Sequence, residues 1–156
     1  MDKRQPSSAT SVMQLPGPAQ EESILQDIDK LAWIHVRERR LLGARSRGKQ
    51  AIYLPGGKRE PGESDHAALI REIREELSIA LRPGSITSAG HFRAQADGKP
   101  VGVMVRITCY ESAFDGNLAP ASEIEEVIWL RHADRERCSA AARLVLDHLS
   151  HAGRID

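Results

Sequence analysis

The stretch that most constrains this chain runs from Pro55 to Ile79, where a Pro-Gly-Gly turn leads into a charged helical pattern. Asp65 to Leu77 contains no Gly or Pro, and Ile70, Ile73 and Leu77 fall at i, i+3 and i+7, which predicts an amphipathic helix. Ser64 or Asp65 is placed to cap its N-terminus. Glu72, Glu75 and Glu76 stand at i, i+3 and i+4, so the helix projects them together, away from the apolar stripe. Like charges at that spacing cost a helix roughly 0.2–0.5 kcal/mol per pair. Arg71 and Arg74 offset part of the repulsion, and a hard divalent cation would offset more. Mg²⁺ takes oxygen ligands, commonly one or two carboxylates together with substrate phosphates and water. The cluster therefore reads as a metal site completed by a phosphorylated substrate.

The preceding loop points the same way. Gly56 and Gly57 let the backbone approach a ligand without a Cβ clash, and their carbonyls are candidate oxygen ligands. Lys58 and Arg59 lie beside them as candidates for holding phosphate oxygens. Taken singly, each feature is ordinary. A run such as Arg71–Glu76 is commonly a solvated helix face, and a Gly-Gly pair is commonly a turn. Their conjunction points to chemistry.

The rest of the chain supplies the scaffold. With 156 residues, 40% of them apolar, one domain with a real core is expected over residues 24–156. Residues 1–23 are polar and turn-prone, with little to bury, and are expected to be a disordered tail. Regular structure is expected to start near Asp27. Residues 31–36 and 41–44 read as two strands of a hairpin around the polar turn 37–40. Residues 51–54 read as a short strand ending at Pro55. Val101 to Cys109 alternates with period two, and residues 126–130 form another strand. A last helix is expected from Ser139 to Ser150, with Ala141, Leu144, Val145, His148 and Leu149 inward and Gly153 as its stop. Strands mixed with two helices mean a layered α/β (α+β) domain.

Charge and cysteine usage exclude several classes. Lys+Arg and Asp+Glu each total 22, so there is no basic excess of the kind a nucleic-acid binder shows, and no nucleic acid is expected as partner. No stretch approaches the roughly 18 apolar residues of a membrane span, and the N-terminus lacks the apolar core of a signal peptide. Cys109 reads as a core residue and Cys138 as a helix-surface or half-buried thiol. The two are far apart and form no zinc spacing, which fits a reducing cytoplasm. Trp33, Tyr53 and Trp129 read as core residues. Arg93, Lys99 and Arg106 are further cations without an assigned role.

Residues 57–79 resemble the Nudix box, G-x5-E-x7-R-E-U-x-E-E-x-G-U, where U is aliphatic. Gly57, Glu63, Arg71, Glu72, Ile73, Glu75, Glu76 and Ile79 match, which is eight of nine specified positions. Ser78 stands where the motif has glycine, at the end of the helix, where a left-handed residue is favoured. The resemblance implies an α/β/α sandwich with a mixed sheet and a loop–helix–loop motif. It implies hydrolysis of a diphosphate linkage in a nucleoside diphosphate derivative, with Mg²⁺ or Mn²⁺. By matching position, Glu75, Glu76 and the Gly56 carbonyl would bind metal, and Glu72 would bind metal or act as base. Arg71 would orient Glu72 by a salt bridge, and Glu63 would hold the loop and take part in the metal network. Family members often add an acid from outside the box. Glu123, Glu125 and Glu126 are the candidates, with Glu126 favoured for its place in the strand pattern.

The Pro-Gly-Gly-Lys approach to the box resembles MutT-type members. The expected substrate is therefore a nucleoside triphosphate, ordinary or oxidised, split to monophosphate and pyrophosphate. ADP-ribose, nucleotide sugars and dinucleoside polyphosphates are the alternatives within the class. A Nudix-like binding module without catalysis is a different reading, as is a structural domain whose acidic helix is merely solvated. The expected partner is a small nucleotide-type molecule, and a homodimer stays open because dimers are common in the family.

Overall fold

Period-two alternation along the strands sorts side chains onto two faces, and each face is covered by one helix. A computed structural model describes residues 27–156, so the expected tail over 1–23 lies outside the described residues. Strand β1 (Ile28–Trp33) is the hinge of the arrangement. It runs parallel to β7 (Met104–Glu111) and antiparallel to β4 (Gly56–Gly57), while β7 pairs antiparallel with β6 (Thr87–Gln95). This gives a mixed sheet in the order β4-β1-β7-β6. A second sheet has the order β2-β3-β9, from Val36–Arg37, Arg40–Ser46 and Ile124–Leu130. Short strands β5 (Ala80–Leu81) and β8 (Phe114–Asp115) pair with each other.

The first helix, α1 (Asp65–Leu77), packs Leu69, Ile73 and Leu77 against Leu31, Trp33 and Leu42. The second, α2 (Ala140–His151), packs Ala142, Val145 and Leu146 against Ala32, Ile107 and Cys109. Alternate residues of β1 thus feed two separate cores, as the expected sandwich requires.

Several sequence expectations change in detail. The first hairpin strand is not continuous over 31–36. Ile34 N–H bonds to the Tyr110 carbonyl of one sheet, while the His35 carbonyl accepts from Leu42 of the other, so the chain changes sheets there. The hairpin turn narrows to Glu38 and Arg39, both with positive φ (50° and 62°), and Arg40 already belongs to β3. Residues 51–54 make only single bridges, Tyr53 to Ala44 and Ile52 to Cys138, because Pro55 has no N–H to extend a ladder. Val101 is fully exposed in a turn, and the alternating strand begins at Met104.

Helix α2 is rotated from expectation. Ala142 and Leu146 are buried, whereas Leu144 and His148 face solvent, because its contacts are with β6 and β7 on one side. Cys138 is buried, not at the surface, at the bend where a short 3₁₀ turn (His132–Arg137) meets α2. Cys109 and Trp33 are buried as expected, while Trp129 is only partly so, with the Arg37 guanidinium 5.0 Å from its ring. Strand β6 carries no apolar alternation and contains an irregularity between Ser88 and His91, so its sequence gave no strand signal.

Candidate active site

The Gly-Gly turn is fixed by backbone pairing. Leu31 pairs with Gly57 and Ala32 with Gly56, which sets the loop on the edge of the mixed sheet. Gly56 has φ 145°, and a Cβ there would lie 2.0 Å from the Leu31 carbonyl oxygen. A Cβ on Gly57 would lie 2.5 Å from the carboxyl carbon of Glu72. The second glycine leaves room for the Glu72 carboxylate, which any side chain there would displace.

Arg71 organises the cluster. Its guanidinium donates to both carboxylate oxygens of Glu63 (2.7 and 2.8 Å), to Glu72 (3.0 Å), to Glu75 (3.5 Å) and to the Lys58 carbonyl (3.1 Å). Glu63 also accepts from the Glu60 N–H at 2.7 Å. These bonds hold the Glu63 carboxyl down at a pKa of about 2, with Arg71 the leading cause. Glu63 thus closes the loop before α1, and Arg71 ties that loop to the helix.

The three helix glutamates are not equivalent. Glu75 is exposed, Glu72 half-buried and Glu76 only 4% exposed. Glu76 accepts one neutral hydrogen bond, from the Gly56 N–H at 3.2 Å. Burial, then the Glu72 charge, push its pKa up to about 9. Glu72 is also raised by burial, against the pull of Arg71. Sequence spacing put all three on a solvent-facing side. In the fold, the loop Gly116–Glu123 closes over the helix end, as Ala121 N–H bonds to the Glu76 carbonyl and Ala119 N–H to that of Leu77. That docking caps the last turn of the helix, and the glycine turn contacts the Glu76 carboxyl through the Gly56 N–H.

The three outside acids differ in their surroundings. Glu125 and Glu126 pair with Arg45 at 3.1 and 2.7 Å. Glu123 lines the same cavity as Glu76, and its charge acts on both Glu72 and Glu76. Of the flanking cations, Arg59 is bound by Asp65 and by Asp29 (2.7 Å), and Asp65 accepts from the Tyr110 hydroxyl (2.7 Å). Arg59 therefore braces the loop to β1 and to the helix start. Lys58 contributes its carbonyl to Arg71.

A divalent cation fits this donor set. A buried carboxyl with a single neutral donor, beside a second carboxyl, is short of positive charge. Among the described residues, no three His, Cys, Asp or Glu side chains close into a metal cage by themselves. Mg²⁺ does not need one, since it keeps several waters and shares substrate phosphates.

A cavity of about 280 Å³ opens beside the cluster, between the two sheets. Gly56, Gly57, Glu76 and Glu123 form one wall, and Lys30, Lys49 and Lys99 also line it. Tyr53 lies on its rim and donates its hydroxyl to Asp97. Lys30 and Lys49 were missed from sequence. Lys30 sits between Ile28 and Ala32, an inward position on a strand, and that charge at an apolar register was the available signal.

Comparison with known proteins agrees with this geometry. The E. coli ORF135 protein is 25% identical over 84% of this chain and 96% of its own, with a TM-score of 0.62. A MutT NUDIX hydrolase from Burkholderia pseudomallei is 24% identical over 78% of this chain and 97% of its own, with a TM-score of 0.63. The structure of a bifunctional NMN adenylyltransferase/ADP ribose pyrophosphatase from Francisella tularensis, complexed with AMP and Mn ion, is 18% identical. It covers 81% of this chain and 42% of that one, with a TM-score of 0.60. No curated protein sequence matches the chain significantly. The NUDIX domain model matches residues 30–148, which hold the glycine turn, the Arg71 network and the carboxylate helix, and the chain belongs to the Nudix family of pyrophosphohydrolases.

Proposed function

We propose that this protein hydrolyses nucleoside triphosphates, ordinary or oxidised, to monophosphate and pyrophosphate, with Mg²⁺ or Mn²⁺ as cofactor. The observation that carries the reading is the Arg71-held carboxylate cluster beside a cavity of about 280 Å³ that three lysines line. Glu75, Glu76 and the Gly56 carbonyl are the proposed metal ligands, with Glu72 as a further ligand or as the base. When bound, the cation polarises a phosphoryl oxygen and lowers the pKa of a water. The chain's own residues do the rest. Water adds to phosphorus, the bridging P–O bond breaks to release the monophosphate and pyrophosphate, and Glu72 is the proposed acceptor of the water proton in its role as base. Arg71 fixes the direction of that carboxylate through the 3.0 Å bond, and Glu63 holds Arg71. Glu123 is the better-placed outside acid, whereas Glu126 is engaged by Arg45. Lys58 remains a candidate for phosphate contact, and Arg59 acts as a brace.

The triphosphate preference is supported by likeness to proteins described as MutT. ADP-ribose is the main alternative, from the Francisella tularensis likeness. A cytoplasmic setting is proposed from the two free, buried cysteines. No helix among the described residues is long and apolar enough to cross a membrane.

The test is a substrate panel with Mg²⁺ and then with EDTA, following phosphate and pyrophosphate release. Ordinary and oxidised dNTPs, ADP-ribose, nucleotide sugars and diadenosine polyphosphates make up the panel. Metal-dependent pyrophosphate release from dNTPs is expected. Faster turnover of ADP-ribose than of every dNTP would move the protein to the alternative class. Metal binding without turnover of any member would favour a binding module.

A further inference from the structure

The cavity beside the carboxylate cluster carries a second chemistry, supplied by lysines. Lys30, Lys49 and Lys99 line it from three places: strand β1, the turn after β3, and the hairpin turn between β6 and β7. Lys49 and Lys99 are exposed at the mouth, and Lys30 is half-buried. Burial, together with repulsion by Lys58, Lys49 and Lys99, holds the Lys30 ammonium below its ordinary pKa, and Glu76 opposes this only in part. Among the described residues no carboxylate bonds to Lys30, and Glu76 acts on it only through its charge. A partly desolvated ammonium without a bonded counter-charge is costly, and an anionic ligand removes that cost.

The turn that holds Lys99 is braced. The Gln95 side-chain amide donates to the Pro100 carbonyl at 2.9 Å and accepts from the Gly102 N–H at 2.9 Å. The Tyr53 hydroxyl pins Asp97 of the same turn from the opposite side of the cavity. The third lysine is therefore presented on a fixed element.

We propose that Lys30, with Lys49 and Lys99, forms an anion subsite for the phosphate chain of the substrate, selecting nucleotides with three or more consecutive phosphates over sugar-capped diphosphates. Glu123, which also lines the cavity, repels a phosphate chain, and each lysine attracts it in proportion to the charge the chain carries. The inference deepens the reading above and rests on it for the reaction. Lys30 is a positioning residue that acts through binding.

The test uses the full chain and two readouts. The first is calorimetric binding of inorganic tripolyphosphate and of pyrophosphate in EDTA. Wild type is expected to bind tripolyphosphate more tightly, and Lys30→Gln to weaken that binding by about tenfold or more. Lys30→Arg should stay within about threefold of wild type. The thermal midpoint of the ligand-free Lys30→Gln protein should not fall, since no salt bridge is lost. The second readout is kinetic. Lys30→Gln and the double variant Lys49→Gln/Lys99→Gln should raise KM for a dNTP with little change in kcat. KM for ADP-ribose should respond less to the double variant.

Tripolyphosphate binding within twofold of wild type in Lys30→Gln would overturn the proposal. So would a lowered midpoint without rescue by Lys30→Arg, which would make Lys30 structural. Equal KM losses for dNTP and ADP-ribose would overturn the selectivity. If wild type turns over no nucleotide while tripolyphosphate binding still depends on Lys30, the proposed reaction fails and the subsite stands.

Discussion

The two helices flank the same β-structure and begin in the same way, yet fill their buried positions differently. Ser64 caps α1 by accepting from the Ala67 N–H at 3.1 Å, and Ser139 caps α2 from the Ala142 N–H at 3.3 Å. Each helix is followed by a left-handed residue, Ser78 at φ 62° and Gly153 at φ 72°. Helix α2 buries Ala141, Ala142, Val145, Leu146 and Leu149. Helix α1 buries Ala68, Leu69, Ile73 and Leu77, but also Glu76. Helix α2 fills its buried positions with apolar side chains only, of which Ala141 and Ala142 also line the cavity. The other gives up a core position to the carboxyl of Glu76, which has a backbone N–H but no cation for a partner among the described residues.

The largest expected effect breaks the α1 side. Glu75→Gln and Glu76→Gln should each lower turnover by about a hundredfold or more at saturating Mg²⁺, since each removes charge that a cation needs. Near-wild-type kcat in either would sink the metal-site assignment. Stability should move the other way in Glu76→Gln. A carboxyl whose folded pKa of about 9 exceeds its ordinary 4.5 holds more protons folded than unfolded. Its contribution is full below about pH 4.5 and is lost as pH rises through 9. Metal-free wild type should therefore weaken from pH 5 to pH 9, and Glu76→Gln should not. At pH 8 the variant should gain on the order of 1–3 kcal/mol in urea titrations. Parallel pH profiles for the two proteins would show that Glu76 is solvated in solution.

On the α2 side the corresponding change is Leu146→Ala. The residue is fully buried, so its truncation should cost about 2–5 kcal/mol of unfolding free energy. Activity per folded molecule should change little, because Leu146 itself does not line the cavity, although Ala141 and Ala142 of the same core do. A kcat that falls in step with stability would mean the two cores are mechanically coupled.

A smaller effect sharpens the α1 side further. Gly57→Ala puts a methyl 2.5 Å from the Glu72 carboxyl carbon, and Arg71 holds that carboxyl in place. Displacement of Glu72 should lower kcat about tenfold with the fold intact. Unchanged kcat in a folded Gly57→Ala protein would show that Glu72 has freedom to spare.

The same contrast explains what sequence could and could not reveal. Helix α1 and a cap at Ser64 or Asp65 are legible because they are local, set by spacing along one element, whereas the Arg71–Glu72 pair is implied by the resemblance to the Nudix box. The split of Glu72, Glu75 and Glu76 into half-buried, exposed and buried is not, because it depends on the glycine turn that pairing with β1 sets against Glu72 and Glu76. Lys30 was missed because the strand was read as starting at Leu31, and its inward aim depends on pairing with β7. Glu126 fitted the strand pattern, yet Arg45 on the neighbouring strand claims it. Strand β6 has no apolar period to read, and its place comes from seven paired positions with β7. Long-range pairing carries this information, and no window of sequence contains it.

The helix ends give the smallest and most direct comparison. Gly153→Ala forces a Cβ into a left-handed conformation with no atom within 4 Å, so the cost is conformational alone, about 1 kcal/mol. Ser78→Gly relieves the same strain at α1. It also deletes the bond from the Ser78 hydroxyl to the Ala119 carbonyl at 3.2 Å. The two terms oppose each other and are of similar size, so the net change should stay below about 1 kcal/mol in either direction. Thermal melts of the two variants check both figures. Kinetics of Ser78→Gly carry the further information, since Ala119 and Ala121 belong to the loop that bonds to the Glu76 and Leu77 carbonyls. A rate near wild type is expected. A large gain would mean that serine at this turn holds the loop, and with it the buried carboxyl, away from its most active position.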